Sequence, residues 1–167
     1  MVTALIDAKG RADALAATLG ALVPGVVNGL VADAIILTGH ADASVSAIAD
    51  AVGAEVAVVA PGENRWFVGA GRARRDWMLC LEEGDLMVDG WIGGLERFVS
   101  SIDERPLGRL SRGGGPFARG LLDAMWGTAR LRPGDVVHRR LLGEAGLRRR
   151  VRPVRIAARI ERDAPPR

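Results

Sequence analysis

Three carboxylates fall within four positions at Glu82-Glu83-Gly84-Asp85. They follow directly on Trp77-Met78-Leu79-Cys80-Leu81, an apolar run without a break. Such a run predicts a strand buried on both faces, central in a sheet covered by helices. In open α/β sheets, ligands bind beyond the carboxyl ends of these strands. Carboxylates placed there suit a hard divalent cation or a polar ligand such as a sugar hydroxyl. The alternative is a solvated acidic turn between two elements. Beyond the acidic residues, Asp89-Gly90 marks a turn, and Trp91, Ile92, Leu95, Phe98 and Val99 recur at helical spacing.

Other chemistries find less support. A glycine-rich dinucleotide fingerprint is missing, since the first apolar run leads into Asp7-Ala8-Lys9-Gly10-Arg11 with a single glycine. Gly69-Ala70-Gly71 lies inside a predicted helix rather than after a strand, and no P-loop is present. None of Ser44, Ser46, Ser100, Ser101 and Ser111 sits on a strand-to-helix elbow where a nucleophile would stand. His40 follows a strand end, where it either touches a ligand or is simply solvated; His138 ends a strand with no partner in view. Cys80 is the sole cysteine, so it has no internal disulfide, and its apolar neighbours make it a small buried hydrophobe.

The chain of 167 residues is long enough for one domain with a sizeable core. Its charge is uneven: residues 1–102 carry 7 basic and 13 acidic side chains, residues 103–162 carry 15 and 6. That asymmetry points to a phosphate-bearing or anionic partner for the second half, or else to a solvated, salt-laced face. Stacking aromatics are missing from the basic stretch, so nucleic acid is not expected. The first residues have neither a basic start nor a long apolar core, and no run approaches the ~18 apolar residues of a membrane span. A cytoplasmic protein is the expectation, either free or peripheral at the inner face of the membrane.

The elements that would position the acidic residues alternate. Val2–Ile6 reads as a strand, and Arg11–Leu22 as an amphipathic helix stopped by Pro24-Gly25. Ala34–Leu37 is a second strand, and a helix capped by Asp42 or Ser44 carries Val45, Ile48, Ala49 and Val52 on its apolar face. Glu55–Val59 is a third strand, followed by a helix over Glu63–Arg74. The pattern predicts an α/β fold, a mainly parallel sheet with helices on both faces. The second half is less regular. Leu107–Ser111 reads as a strand, Gly113–Pro116 as a loop, and Phe117, Leu121, Leu122, Met125 and Trp126 as a helical face. Pro133-Gly134-Asp135 turns into a strand at Val136–His138, and Leu141 and Leu142 lie in a short helix. From Val151, Val154, Ile156, Ala158 and Ile160 alternate with Arg155 and Arg159, which predicts a strand with one basic side.

In this order the chain resembles family 2 glycosyltransferases of the GT-A fold, which move a sugar from a nucleotide-sugar donor. ALIDAKGRADALAATLGALV is similar to the family's V-V-I-P-T-x-N-R opening and helix, and AIILTGHAD to I-V-V-D-D/G-G-S-x-D. Gly69 with Ala73-Arg74-Arg75-Asp76-Trp77 resembles G-x-x-x-A-R-G-D-W/Y. WMLCLEEGDLMVDGWI resembles W/Y-I-L-F-L-D-A-D-D-x-x-x-P-G-W, and VRIAARIER an ending seen in a small bacterial branch.

The resemblance implies a GT-A-like, Rossmann-like fold over residues 1–162, with 1–102 the nucleotide-sugar-binding half, 103–162 a basic acceptor-side half and 163–167 a tail. It places the donor against Asp7, Thr38, Glu82 and Asp85, with Mn2+ or Mg2+ held by Glu82 and Asp85. The acceptor would be an envelope or lipid-linked one. Apart from the resemblance, the alternation after Val151 predicts that Arg139, Arg140, Arg148, Arg149, Arg150, Arg152, Arg155 and Arg159 form one positive face, which would meet phosphate on an anionic membrane surface or on a phosphate-bearing acceptor. The chain departs from the pattern in four places. Thr38 stands where the family has a base-holding Asp, Asp7 where it has Pro, and Gly84 where it has the usual metal-binding carboxylate. The E-D-x-x-L helix that carries the catalytic base is missing between Gly143 and Arg152. Two readings therefore stay open, a glycosyltransferase and a catalytically inactive relative that binds a ligand or partner. A carboxylate directed into the cleft from residues 130–150 favours the enzyme.

Overall fold

The computed structural model describes residues 1–101, 107–112, 127–144 and 146–163. The predicted loop at Gly113–Pro116, the helical face from Phe117 to Trp126 and the last four residues of the expected tail lie outside them.

Strands β1 (Val2–Asp7), β2 (Val31–Thr38), β3 (Glu55–Val58) and β4 (Trp77–Glu82) alternate with helices α1 (Ala12–Val27), α2 (Ala43–Val52) and α3 (Arg65–Arg72). All four strands run parallel, β2 and β4 flanking β1 and β3 lying outside β2. The apolar run of β4 is buried on both faces, including Cys80. This half matches the alternation read from the sequence.

After β4 come β5 (Asp85–Met87), α4 (Trp91–Ser100), β6 (Leu107–Arg112), β7 (Asp135–His138), a 3₁₀ turn (Arg139–Leu141), a small hairpin of β8 (Leu142–Gly143) and β9 (Gly146–Leu147), and β10 (Val154–Arg162). The main sheet has the order β3-β2-β1-β4-β7-β6-β10-β5. Strand β7 lies antiparallel to both β4 and β6, while β10 runs parallel to β6 and antiparallel to β5. One face is covered by α1, α2 and α4, whose Leu15, Leu19, Val45, Ala49, Leu95 and Phe98 pack on Ile6, Leu79, Val136 and Ile156. The other is covered by α3 and the turn after β7, through Trp66, Ala70, Leu141 and Leu142 against Leu5, Leu37, Met78 and Val137.

Three local expectations change. Helix α1 does not stop at Pro24 but runs through it to Val27. Proline removes one backbone donor within a helix, and here its ring lies on the exposed side. The helix ends where Asn28 donates both its backbone N–H and its Nδ2–H to the Pro24 carbonyl, and Gly29 turns the chain at φ +71°. Gly25 stays in the helix because the Trp91 ring lies against it: a Cβ there would stand 2.3 Å from Trp91 Cη2. The short helix expected at Leu141-Leu142 is the 3₁₀ turn, with Leu142 already in β8. Finally, Asp85 opens a short strand, β5, where a plain loop was expected. In β10 the alternation holds, with Ile156 and Ile160 buried and Arg155 and Arg159 exposed.

Candidate functional site

The ends of β1, β2 and β4 stand side by side. Asp7 is in register with Leu37 of β2 and Glu82 of β4. Thr38 is the next residue of β2. The Thr38 hydroxyl donates to the His40 carbonyl at 2.9 Å, which ties it to its own loop. Asp42, not Ser44, caps α2, accepting the Ser44 and Val45 backbone N–H groups. The Ser44 side-chain and backbone bonds, with the Val45 bond, hold the Asp42 carboxyl below its usual range.

Asp7 is almost fully buried and has two cations, Lys9 Nζ at 2.6 Å and the Arg65 guanidinium. Arg65 is the first residue of α3, capped by the Asn64 side chain. Charge at the end of β1 is therefore neutralised from two directions.

The three acidic residues of the β4–β5 connection do different things. Glu83 turns inward and accepts the backbone N–H of Lys9 at 2.6 Å and of Arg11 at 3.2 and 3.3 Å. It thereby takes the backbone donors of Lys9 and Arg11, in the loop that leads into α1. Gly84, at φ +85°, makes the turn and donates to Thr18 Oγ1 at 2.8 Å. Asp85 is 0% exposed and accepts the Glu82 backbone N–H at 2.9 Å.

Glu82 and Asp85 are brought together, as the sequence led one to expect, but two arginines from the second half lie between them. Arg112 Nη2, at the end of β6, is 2.5 Å from Asp85 Oδ1 and 3.3 Å from Glu82 Oε2. Arg162, at the end of β10, places Nη2 2.7 Å from Glu82 Oε2 and Nε 4.0 Å from Asp85 Oδ1. Burial pushes the Asp85 carboxyl above its usual range, against the pull of the Glu82 N–H and of the two arginines. The residue after β10 closes the arrangement: Asp163 donates its N–H to the Gly84 carbonyl at 2.7 Å and lies 3.8 Å from Arg11. The first residue of the expected tail is thus bonded to the acidic turn.

A divalent ion requires several oxygen ligands. Here two carboxylates already take guanidinium and backbone donors, and the intervening position is Gly84. No cluster of three or more potential metal ligands occurs among the described residues. As arranged, Glu82 and Asp85 do not fit a divalent ion.

Between residues 130 and 150 the buried carboxylate is Asp135, the first residue of β7. It is forked by Arg109, Nε to Oδ1 at 2.5 Å and Nη2 to Oδ2 at 3.0 Å, and accepts the Arg132 N–H at 2.9 Å. Burial raises its pKa, opposed by Arg109. A carboxylate so held ties β6 to β7, and it is not open to an acceptor hydroxyl. Glu144, the other candidate, is exposed.

The eight arginines of the expected positive face are all exposed. Arg139 also binds the Ala73 and Arg75 carbonyls, Arg148 Nε donates to the Leu142 carbonyl at 2.7 Å, and Arg159 pairs with Glu161 at 3.4 Å. Reading the sequence missed Lys9, Arg65, Arg112 and Arg162 as site residues. The charge asymmetry between the halves was the available signal, but it does not say which arginine meets which carboxylate.

No family model matches the chain, and no curated protein matches it. Solved structures do. A mycobacterial protein superposes with a TM-score of 0.62 at 17% identity, over 99% of this chain and 68% of the other. Glucosyl-3-phosphoglycerate synthase from Mycobacterium tuberculosis, in complex with Mn2+, uridine diphosphate and phosphoglyceric acid, gives 0.62 at 19% identity, over 84% of this chain and 57% of that one. Mannosyl-3-phosphoglycerate synthase from Rubrobacter xylanophilus gives 0.59 at 12% identity, over 84% and 55%. The chain thus spans little more than half the length of the two synthases. With its mostly parallel sheet, helices on both faces and strand ends gathered at one edge, the chain has the GT-A-like fold of nucleotide-diphospho-sugar transferases.

Proposed function

We propose that the chain binds a nucleotide-sugar at the edge formed by Asp7, Thr38 and Glu82, and acts as a glycosyltransferase toward a phosphate-bearing acceptor. The carrying observation is the register of Asp7 with Glu82 and Leu37 at the carboxyl ends of parallel strands, where α/β sheets bind ligands. The fold neighbours support it: the M. tuberculosis synthase has been solved with Mn2+ and uridine-diphosphate-glucose, and with phosphoglyceric acid. In this reading residues 1–102 hold the donor. Residues 103–162 face the acceptor, and their exposed arginines meet phosphate on an acceptor or on an anionic membrane surface. Among the described residues no helix is long and apolar enough to cross a membrane.

Transfer with inversion needs a base for the acceptor hydroxyl and a cationic group for the diphosphate leaving group. Guanidinium groups supply the second by bidentate contacts to phosphate. The first is unassigned, because Asp7, Glu82, Asp85 and Asp135 each carry a cation. That observation favours a second reading, a relative that binds a nucleotide-sugar or a partner without turning it over. Calorimetric titration with a panel of nucleotide-sugars, with and without manganese, followed by incubation with phosphoglyceric acid, separates them. Binding with release of nucleoside diphosphate supports the enzyme, and binding without release supports the second reading. Failure to bind any member of the panel overturns both.

A further inference from the structure

The geometry points to a binding site in which Arg112 and Arg162 take the place of a divalent cation, so that this chain holds a nucleoside diphosphate without metal. The inference rests on the nucleotide-sugar reading above and concerns the same edge of the sheet.

A divalent ion at such an edge would bridge carboxylates of the protein to phosphate oxygens of the ligand. The two arginines make the protein side of that bridge themselves. Arg112 Nη2 spans Asp85 Oδ1 and Glu82 Oε2, and Arg162 Nη2 lies on the same Glu82 oxygen. Together they carry two positive charges, the charge of one Mn2+ or Mg2+. An ion seated on these carboxylates would stand at contact distance from both guanidinium groups, and the like charges would repel it.

The phosphate side of the bridge is available too. A guanidinium has five N–H donors. Arg162 is half-exposed, and among the described residues its partners are Glu82 and Asp85. The Nε–H of Arg112 is buried with no acceptor among the described residues, a donor that a small shift of the side chain toward an incoming oxyanion would pair. Lys9 and Arg65, on Asp7 of the neighbouring strand, are 47% and 37% exposed. A diphosphate lying across the ends of β1 and β4 would thus meet Arg162 from one side and Lys9 and Arg65 from the other.

The test is titration of the whole chain with uridine diphosphate, and with the other nucleoside diphosphates in turn, in excess EDTA and in excess Mn2+. Electron paramagnetic resonance of the Mn2+ is recorded alongside. The expected result is affinity in EDTA at least as high as in Mn2+, a Mn2+ spectrum that the protein leaves as it is with uridine diphosphate alone, and a loss of affinity of about tenfold or more in Arg162→Ala, the size of a lost charge-assisted contact. Arg162 is half-exposed, so this variant folds, and its circular dichroism and melting curve verify that. Binding that appears only with Mn2+ overturns the inference and leaves the nucleotide-sugar reading standing. Unchanged affinity in Arg162→Ala overturns it as well. Failure to bind in either buffer removes the nucleotide-sugar reading, and the inference with it.

Discussion

The two halves of the sheet are built on different terms. In β1 to β4, each strand is an apolar segment and each connection is a helix, so local pattern and global position agree. After α4, in β6 to β10, neighbours in space are distant in sequence: β7 enters beside β4, and β10 lies between β6 and β5. The first half ends its central strands in acid, and the second half answers with Arg112 and Arg162. Part of the charge asymmetry seen in the sequence is therefore internal complementarity, not a signal for an outside partner. The rest, from Arg148 to Arg159, remains exposed.

The largest effect should separate the two arginines that join the halves. Asp85 is fully buried, and Arg112 is 22% exposed while Arg162 is 50% exposed. Removing Arg112 leaves a buried carboxylate short of its main partner, a loss of about 3–5 kcal/mol. Removing Arg162 breaks a solvated pair, a loss of about 0.2–1 kcal/mol. Urea unfolding of Arg112→Ala and Arg162→Ala measures both. Equal losses would mean that burial does not rank these pairs and that the two halves are not joined through Asp85.

A smaller effect tests the contact between α4 and β10, which also joins the halves. A Cβ at Gly94 would stand 2.6 Å from the Ala157 carbonyl oxygen, and backbone cannot yield as a side chain can. Gly94→Ala should cost about 1–3 kcal/mol. At Gly93, one residue away, the nearest atom is the flexible end of Arg97 at 3.6 Å. There the same change should stabilise by up to about 1 kcal/mol, through helix propensity alone. Chemical denaturation of the pair sharpens the comparison, because only the first residue touches the second half. A loss at Gly93 as large as that at Gly94 would place the cost in the helix itself.

What the sequence made legible follows the same division. The parallel strands, the burial of Cys80 and the placement of Glu82 and Asp85 at one edge could be read because strand burial and helix amphipathicity are local signals. Helix α1 reads too short because a proline signals a stop, whereas the last turn, packed through the buried Leu22 and Gly25, carries Pro24 despite the lost bond and the crowding of the Gly20 carbonyl. Strand β5 was missed because Asp85-Leu86-Met87 is too short to show a period. The roles of the three loop acids were not legible at all. Whether an acid holds the loop before a helix, as Glu83 does, or meets an arginine, as Asp85 does, depends on which distant segment arrives beside it.

The smallest effect concerns His138, which closes β7 next to the first residue of β4. Its ring stands edge-on to Trp77, centroids 5.0 Å apart at 82°, and its Nδ1 accepts the Arg140 backbone N–H at 3.2 Å. That acceptor exists only while Nδ1 is unprotonated. Burial, then the charge of Arg140, lowers its pKa below 6.5; Asp76 opposes them and Arg139 adds to them. A lowered pKa in the folded state means that the unfolded chain binds more protons in the window below 6.5. Stability from this residue is therefore present above 6.5, falls as the pH drops through the window, and levels off below the folded value. His138→Phe keeps a ring against Trp77 and removes the titration. The difference in urea midpoint between wild type and His138→Phe should shrink or change sign as pH falls below 6.5, while the carboxylate contributions common to both chains cancel. A difference that stays constant across that range would show that the imidazole titrates alike in the folded and unfolded chain. The seam between β4 and β7 would then draw nothing from its neutral form.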